Sequence, residues 1–199
     1  MNTIIITYAV NQEFTPITID GWNIKYVITG VGKAKSAMRL TEAVILFKPD
    51  FVLNIGTAGT LAHNVGDTFI CNKFIDRDYQ STQLPGLEYE IGETDIKYKT
   101  LTTWLCDKQN KVGTCSTGDT FITEVAAFHE DVIDMEAYAQ ALVCKEFNIP
   151  FIAVKYVTDI VGQNSVKHWE DKLSDARKHL TEWVKKNLPA SSEPTLLFA

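Results

Sequence analysis

One feature constrains this chain more than any other: short runs of β-branched and aromatic residues alternate with stretches of helical spacing, and glycines mark several of the junctions. Strands separated in this way are joined by crossovers rather than hairpins, so the pattern predicts an α/β domain built on one sheet. Thr3–Val10 reads as a core strand, Asp20-Gly21 as a turn and Trp22–Thr29 as a second strand. Gly30-Val31-Gly32 then opens a helix to about Phe47, with Ala37, Leu40, Val44 and Phe47 at core spacing. Lys48-Pro49-Asp50 stops it, and Phe51–Ile55 is a short buried strand running into Gly56-Thr57-Ala58-Gly59. Further strands are expected at Asp67–Ile75, Val112–Thr117, Asp131–Asp134 and Phe151–Val157.

Helices are expected at Thr100–Asp107, at Glu136–Phe147 with Ala139, Leu142, Val143 and Phe147 on one side, and at Trp169–Leu188. In the last of these Leu173, Ala176, Leu180, Trp183 and Val184 fall at core spacing, while polar Arg77–Gly92, with its Pro85-Gly86, reads as a loop. No repeat or linker interrupts the pattern. Residues 1–188 are therefore expected to form one domain and 189–199 a C-terminal tail.

Composition narrows the partners. The chain has 19 basic against 25 acidic residues, a formal charge of −6, which argues against a surface built to neutralise nucleic acid. No apolar run approaches the roughly 18–20 residues of a membrane span. Met1-Asn2-Thr3 lacks a basic leader region, so no cleaved secretion signal and no membrane partner are expected, and the location expected is cytoplasmic. Cys71, Cys106, Cys115 and Cys144 include no CxxC pair and read as reduced, mostly buried thiols.

Chemistry is expected where strands end. Gly30-Val31-Gly32 is either a tight turn that needs glycine or a set of backbone N–H groups offered to an anion or sugar hydroxyl. It lacks the third glycine of a dinucleotide fingerprint and the GK[ST] of a phosphate loop. Three acids stand at three predicted strand ends: Glu13, Glu136 and Asp159, the last beside Thr158. Each reads as a cap or solvated charge, or as a group for acid/base work on a polar ligand. His63, His129, His168 and His179 show no metal-ligand spacing, no GxSxG elbow is present, and Lys33, Lys35 and Arg39 read as a solvated helix face.

The ordered set of motifs says more than any one of them. TGVGKAKSA (Thr29–Ala37), KPDFVLNIGTAGTL (Lys48–Leu61), NVGD (Asn64–Asp67), STGDTFI (Ser116–Ile122), DMEAYAQALVCKEFNIPFIAVKYVTD (Asp134–Asp159) and, more loosely, AVNQEF (Ala9–Phe14) resemble the nucleoside phosphorylase superfamily. Within it, the chain is most similar to the 5′-methylthioadenosine/S-adenosylhomocysteine nucleosidases. The resemblance implies a three-layer single domain, a central mixed β-sheet flanked by helices, and an oligomer, with a dimer favoured. It also implies cleavage of the N-glycosidic bond of a purine nucleoside, with no metal or organic cofactor.

Carried over by position, Asp159 matches the acid that protonates the leaving base and Glu13 the acid that positions the attacking water. Glu136 matches the acid that holds the ribose hydroxyls, and Met135 the residue that packs on the sugar. Phe121 and Ile122 match base-stacking and base-edge positions, Thr57 and Ala58 the ribosyl side, and Val31 and Thr158 complete the expected binding residues. Asn54 stands where phosphorylases of the hexameric kind carry Arg, which favours water over phosphate as nucleophile. The alternatives are a phosphate-dependent purine nucleoside phosphorylase and a nucleoside-binding relative with little activity. The chain departs from the family in its shorter middle and in Lys155, where the family pattern implies Arg.

Overall fold

The computed structural model describes residues 2–92, 111–123, 129–163 and 165–188. Among them the chain order is β1 (Asn2–Tyr8), β2 (Trp22–Ile28), α1 (Lys33–Phe47), β3 (Phe51–Thr60), β4 (Thr68–Asp76), α2 (Arg77–Thr82), β5 (Glu90–Ile91), β6 (Lys111–Thr117), β7 (Val132–Asp134), α3 (Ala137–Phe147), β8 (Phe151–Ile160) and α4 (Ser165–Asn187). The expected helix at Thr100–Asp107 and the tail from Pro189 lie outside the described residues.

Two helix-to-strand passages are set by local chemistry. Helix α1 ends where Lys48 turns left-handed before Pro49, and α3 ends where Asn148 does the same two residues before Pro150. Proline cannot continue a helix, and the residue before it is pushed towards extended geometry, so β3 and β8 start at once.

All eight strands join one mixed sheet. Strands β2, β1, β3 and β8 lie side by side and parallel. Strand β4 runs antiparallel to β8 and parallel to β6, which in turn runs parallel to β7. The sheet then turns back on itself, because β7 reaches β3 at Gly59↔Ile133 in antiparallel sense. Strands β3, β8, β4, β6 and β7 thus form a closed ring with β1 and β2 as a wing. The closure brings the carboxyl ends of two oppositely directed sets of strands together, which is where an α/β sheet holds its ligand.

The core has two parts, one on each face. Leu40, Ala43 and Val44 of α1 and Ala137, Tyr138, Ala141, Val143 and Cys144 of α3 pack on one face with Val52 and Phe151. Ala176, Leu180, Trp183 and Val184 of α4 pack on the other with Leu53, Ile55 and Val154. The three layers expected from the sequence are present.

Several expectations change in detail. Strand β3 continues through Gly56–Gly59 to Thr60, and β8 continues through Asp159, because the two pair along their whole length. The segment read as a loop from Arg77 holds the short helix α2, capped by Asp76, whose carboxylate accepts from Asp78 N (3.0 Å) and Tyr79 N (3.1 Å), and the short strand β5. Leu142 and Phe147 are exposed rather than buried, and α4 starts four residues earlier than Trp169. Cys71, Cys115 and Cys144 are free and buried; Cys106 lies outside the described residues.

Candidate active site

The ring closure leaves a cavity of about 410 Å³ at the joined strand ends. It collects residues from the turn after β1, the loop after β2, the end of β3, the start of α2, the loop after β6, the corner after β7, the end of β8 and the first turns of α4. Glu13, Val31, Thr57, Ala58, Phe121, Ile122, Met135, Glu136 and Asp159 all line it. Thr158 does not. It is fully buried behind the wall, where its hydroxyl meets Ala58 O at 3.4 Å and donates to Asp159 Oδ1 at 2.9 Å, because a bulge separates it from its neighbour.

That bulge decides where Asp159 points. Opposite β3, Ala58 pairs with Val157 and Gly59 with Asp159, so β8 carries one extra residue at Thr158. Side chains alternate along a strand, and one inserted residue moves everything beyond it to the other face. Val157 therefore faces the α1/α3 layer, whereas Asp159 stands opposite Gly59 on the face of Thr57. Gly59 makes room: a Cβ there would lie 3.0 Å from Asp159 Oδ2.

Glu13 is held from four sides. Its Oε1 accepts from Thr57 N (2.9 Å) and Thr57 Oγ1 (2.7 Å), and its Oε2 from Ala9 N (3.0 Å) and Val10 N (3.2 Å). The Thr57 hydroxyl is itself oriented, since Trp169 Nε1 donates to it at 3.0 Å. Such a carboxylate has no rotamer freedom left to lose when a ligand binds.

Glu136 occupies the N-cap of α3 but does not cap it; its Oε1 accepts from Gly32 N at 3.0 Å instead. This bond fixes the Gly30-Val31-Gly32 turn against the acid, so an N–H of the turn serves a side chain of this chain. The capping is done by Asp134, whose Oδ2 accepts from Ala137 N at 2.9 Å. Asp134 also accepts from Thr117 Oγ1 (2.6 Å) and forms a fully buried ion pair with Lys155 (2.7 Å). Burial opposes both charges, yet each holds the other: Lys155 keeps Asp134 below the usual carboxylate range, and Asp134 keeps Lys155 above the usual amine range. Glu136 is pushed the other way, up to about 8, by burial first and then by the charges of Asp134 and Glu13, against Lys155.

Sequence reasoning missed Arg77 and Trp169, both on the cavity wall. It also took Lys33 for a solvated cation. Lys33 Nζ instead bridges Asp76 (2.9 Å) and Asp78 (2.7 Å), while its backbone N–H donates to Asp119 (2.7 Å). The only sequence signal for that pairing is the run Asp76-Arg77-Asp78, whose acids lie more than forty positions from their partner.

A small, largely apolar cavity with buried acids from separate strand ends has the form that acid/base work on a polar organic ligand requires. Comparison with known proteins places that site in a family. The family model described as Phosphorylase superfamily matches residues 7–188, and this chain belongs to that superfamily. Among its relatives, the 5′-methylthioadenosine/S-adenosylhomocysteine nucleosidase of Anoxybacillus flavithermus is 33% identical, the match covering 89% of this chain and 85% of that protein. The Bacillus subtilis enzyme of the same name is 32% identical, covering 87% and 84%. In fold, the Helicobacter pylori nucleosidase of that name, solved with a pyrrolidine-based ligand, gives a TM-score of 0.82 at 18% identity over 94% of this chain and 97% of that one. The Helicobacter pylori futalosine hydrolase gives 0.79 at 18% identity, covering 94% and 97%.

Two predictions follow from the electrostatics. Lys155→Met leaves Asp134 buried without its partner, which costs about 3–5 kcal/mol by the usual measure of a broken buried pair. Urea denaturation should show that loss, with part of it recovered in Asp134→Asn/Lys155→Met; a single variant as stable as the wild type would contradict the pairing. For Glu136, the unfolded chain ionises near 4.5 and the folded chain near 8, so the fold holds a proton that the unfolded state releases between those values. Stability must then decline as pH rises from 4.5 to 8 and level off above. Glu136→Gln should therefore melt several degrees higher than the wild type at pH 8, at roughly 2–4 °C per kcal/mol. Near pH 4.5 the gap should close, and a gap that does not change with pH would count against the raised pKa.

Proposed function

We propose that this chain hydrolyses the N-glycosidic bond of a purine nucleoside of the methylthioadenosine or S-adenosylhomocysteine type and releases the base. The observation that carries this reading is the convergence of Glu13, Glu136 and Asp159 on one cavity. The curated relatives, named as nucleosidases for those two compounds, support the substrate class. The futalosine hydrolase shares the fold to nearly the same degree, so the choice of nucleoside rests on sequence likeness.

The division of labour follows from the chemistry. A purine leaves poorly as an anion, so Asp159 gives a proton to a ring nitrogen of the base as the bond to the sugar carbon breaks. Positive charge grows on that carbon, and the Glu13 carboxylate stabilises the charge. Glu13 orients a water and takes its proton as the oxygen bonds to the sugar carbon. Glu136 and Met135 serve the ribose, Thr57 and Ala58 the ribosyl side, Val31 its rim, and Phe121 and Ile122 the base. Thr158 contributes through Asp159 rather than by contact. The reaction so written needs no metal or organic cofactor.

Water is favoured over phosphate by the disposition of the cations. Arg77, on the cavity wall, spends both terminal nitrogens on four backbone carbonyls, and Lys155 is committed to Asp134. Lys33 is bridged between two aspartates. Phosphate would have to win one of these groups from its partners.

No helix among the described residues is long and apolar enough to cross a membrane. Together with the chain's net charge of −6, this supports a cytoplasmic enzyme without nucleic-acid or membrane partners. The second partner we propose is another copy of this chain. Met38, Ile45 and Leu46 of α1 and Leu142 and Phe147 of α3 are exposed on two helices that pack together, an apolar layer suited to a homodimer.

Incubating the protein with methylthioadenosine, with and without phosphate, tests the reaction. Free ribosyl product at equal rates in both is expected, and a ribose 1-phosphate product would favour the phosphorylase instead. Asp159→Asn should lower turnover by about 10²–10⁴-fold, the range of general acid catalysis. Sedimentation should give a dimer for the wild type and a monomer for Leu46→Glu; a monomeric wild type would remove the second partner.

A further inference from the structure

Where β6 and β7 run out of strand pairing, a single side chain takes over. Arg77, the first residue of α2, is buried, and its guanidinium donates to four main-chain oxygens. Nη1 reaches Ser116 O (2.9 Å) and Asp134 O (2.8 Å), and Nη2 reaches Gly118 O (3.0 Å) and Thr120 O (2.6 Å). The first, third and fourth of these oxygens belong to the segment that delivers Phe121 and Ile122 to the cavity. Asp134 O belongs to the corner that delivers Met135 and Glu136. The remaining N–H, on Nε, is packed against Gly118: a Cβ on that glycine would lie 2.7 Å from Nε and 2.8 Å from Arg77 Cγ.

We propose that Arg77 is a positioning residue for the reaction, a single planar fork that fixes the base-binding loop and the sugar-binding corner relative to each other. The idea rests on the assignment of those two segments to base and sugar made above. Its chemistry favours Arg specifically. A guanidinium presents its N–H groups in one rigid plane, whereas an ammonium offers three donors from a point and cannot span four carbonyls. Terminal nitrogens fully engaged on main-chain oxygens, and an Nε wedged against Gly118, leave the group to act through the segments it holds.

A second set of bonds steadies the same loop from outside. Asp119 N donates to Asp78 Oδ2 (3.0 Å), and Asp119 Oδ1 accepts from Lys33 N (2.7 Å), at the start of α1 beside the Gly30-Val31-Gly32 turn. The turn, the loop and the corner are thereby tied into one wall. Loop and corner also touch directly, through Gly118 N to Asp134 O (3.3 Å) and Thr117 Oγ1 to Asp134 Oδ1 (2.6 Å), and Arg77 extends that joint out to Thr120.

The test uses the full chain as wild type, Arg77→Met, Arg77→Lys and Gly118→Ala. The last keeps the arginine but drives a methyl into it and into Asp78 Oδ1, each 2.7 Å from where the Cβ would lie, and it carries the comparison if Arg77→Met fails to fold. Amide hydrogen exchange on the ligand-free proteins should show lost protection at residues 116–122 and 134–136 and unchanged protection in β1 and β3. Below the melting temperature of each variant, KM for methylthioadenosine and the inhibition constant for adenine should both rise about ten-fold or more, with kcat falling far less. Arg77→Lys should resemble Arg77→Met. A folded variant with wild-type protection, or with constants within about two-fold of wild type, would overturn the proposal. If the wild type releases no base, the functional reading fails, and the exchange contrast alone still decides whether Arg77 braces the wall.

Discussion

Lys155 and Asp134 meet inside the ring that the sheet makes, one from β8 and the other from β7. Those strands do not pair with each other; β3 lies between them on one side, and β4 and β6 complete the circuit on the other. Two charges removed from water are costly to hold, and the cost is offset only when both are fully bonded. Asp134 meets that condition with the ammonium, the Thr117 hydroxyl and the Ala137 N–H. Much of the local sequence then follows. Gly56 leaves room beside the pair, since a Cβ there would come within 3.2 Å of Lys155 Nζ. Helix α3 starts where it does because Asp134 caps it, which releases Glu136 to face the cavity.

The same pair sets the electrostatic difference among the acids. A carboxyl with a cation at hydrogen-bond distance stays ionised, and its charge raises the cost of ionising the next one. Asp134 takes the ammonium, so Glu136, with one N–H and the field of two neighbouring acids, keeps its proton until about pH 8. Two acids two residues apart thus hold opposite protonation states at neutral pH. The price is stability, since an acid so crowded contributes less to the fold than the residue that could replace it.

The layers and most strands were legible because their cause is local: period-2 and period-3.6 patterns punctuated by Pro49, Pro150 and glycine. That Glu13, Glu136 and Asp159 belong together was legible from motif order, whereas their spacing in the sequence says nothing of it. Other features depend on partners far along the chain. The bulge at Thr158 exists only against Gly59, a hundred residues earlier, and without it Asp159 would point at the opposite layer. Ring closure rests on one bridge, Gly59↔Ile133, which no periodicity announces. Arg77 looked like one charge in a polar loop; its role is visible only when four carbonyls from two other segments surround it. Of the stripe expected on α3, Ala139 and Val143 are buried whereas Leu142 and Phe147 are exposed, because the helix buries most of its circumference and not that stripe alone.

The cavity divides into parts built in different ways. Asp159 and Thr57 sit on strands paired on both sides, and Glu13 and Glu136 stand in turns whose backbone and side-chain bonds leave them one position. Phe121 and Ile122 belong to no strand and are steadied from below by Arg77 and from outside by the Asp78–Asp119–Lys33 chain of bonds. Groups that break bonds and groups that recognise a ligand both tolerate little displacement, so each part of the cavity depends on the bonds that hold it. On the reading proposed above, a change in the bonds that brace the loop would bear on the base first, because the acids are held by bonds of their own.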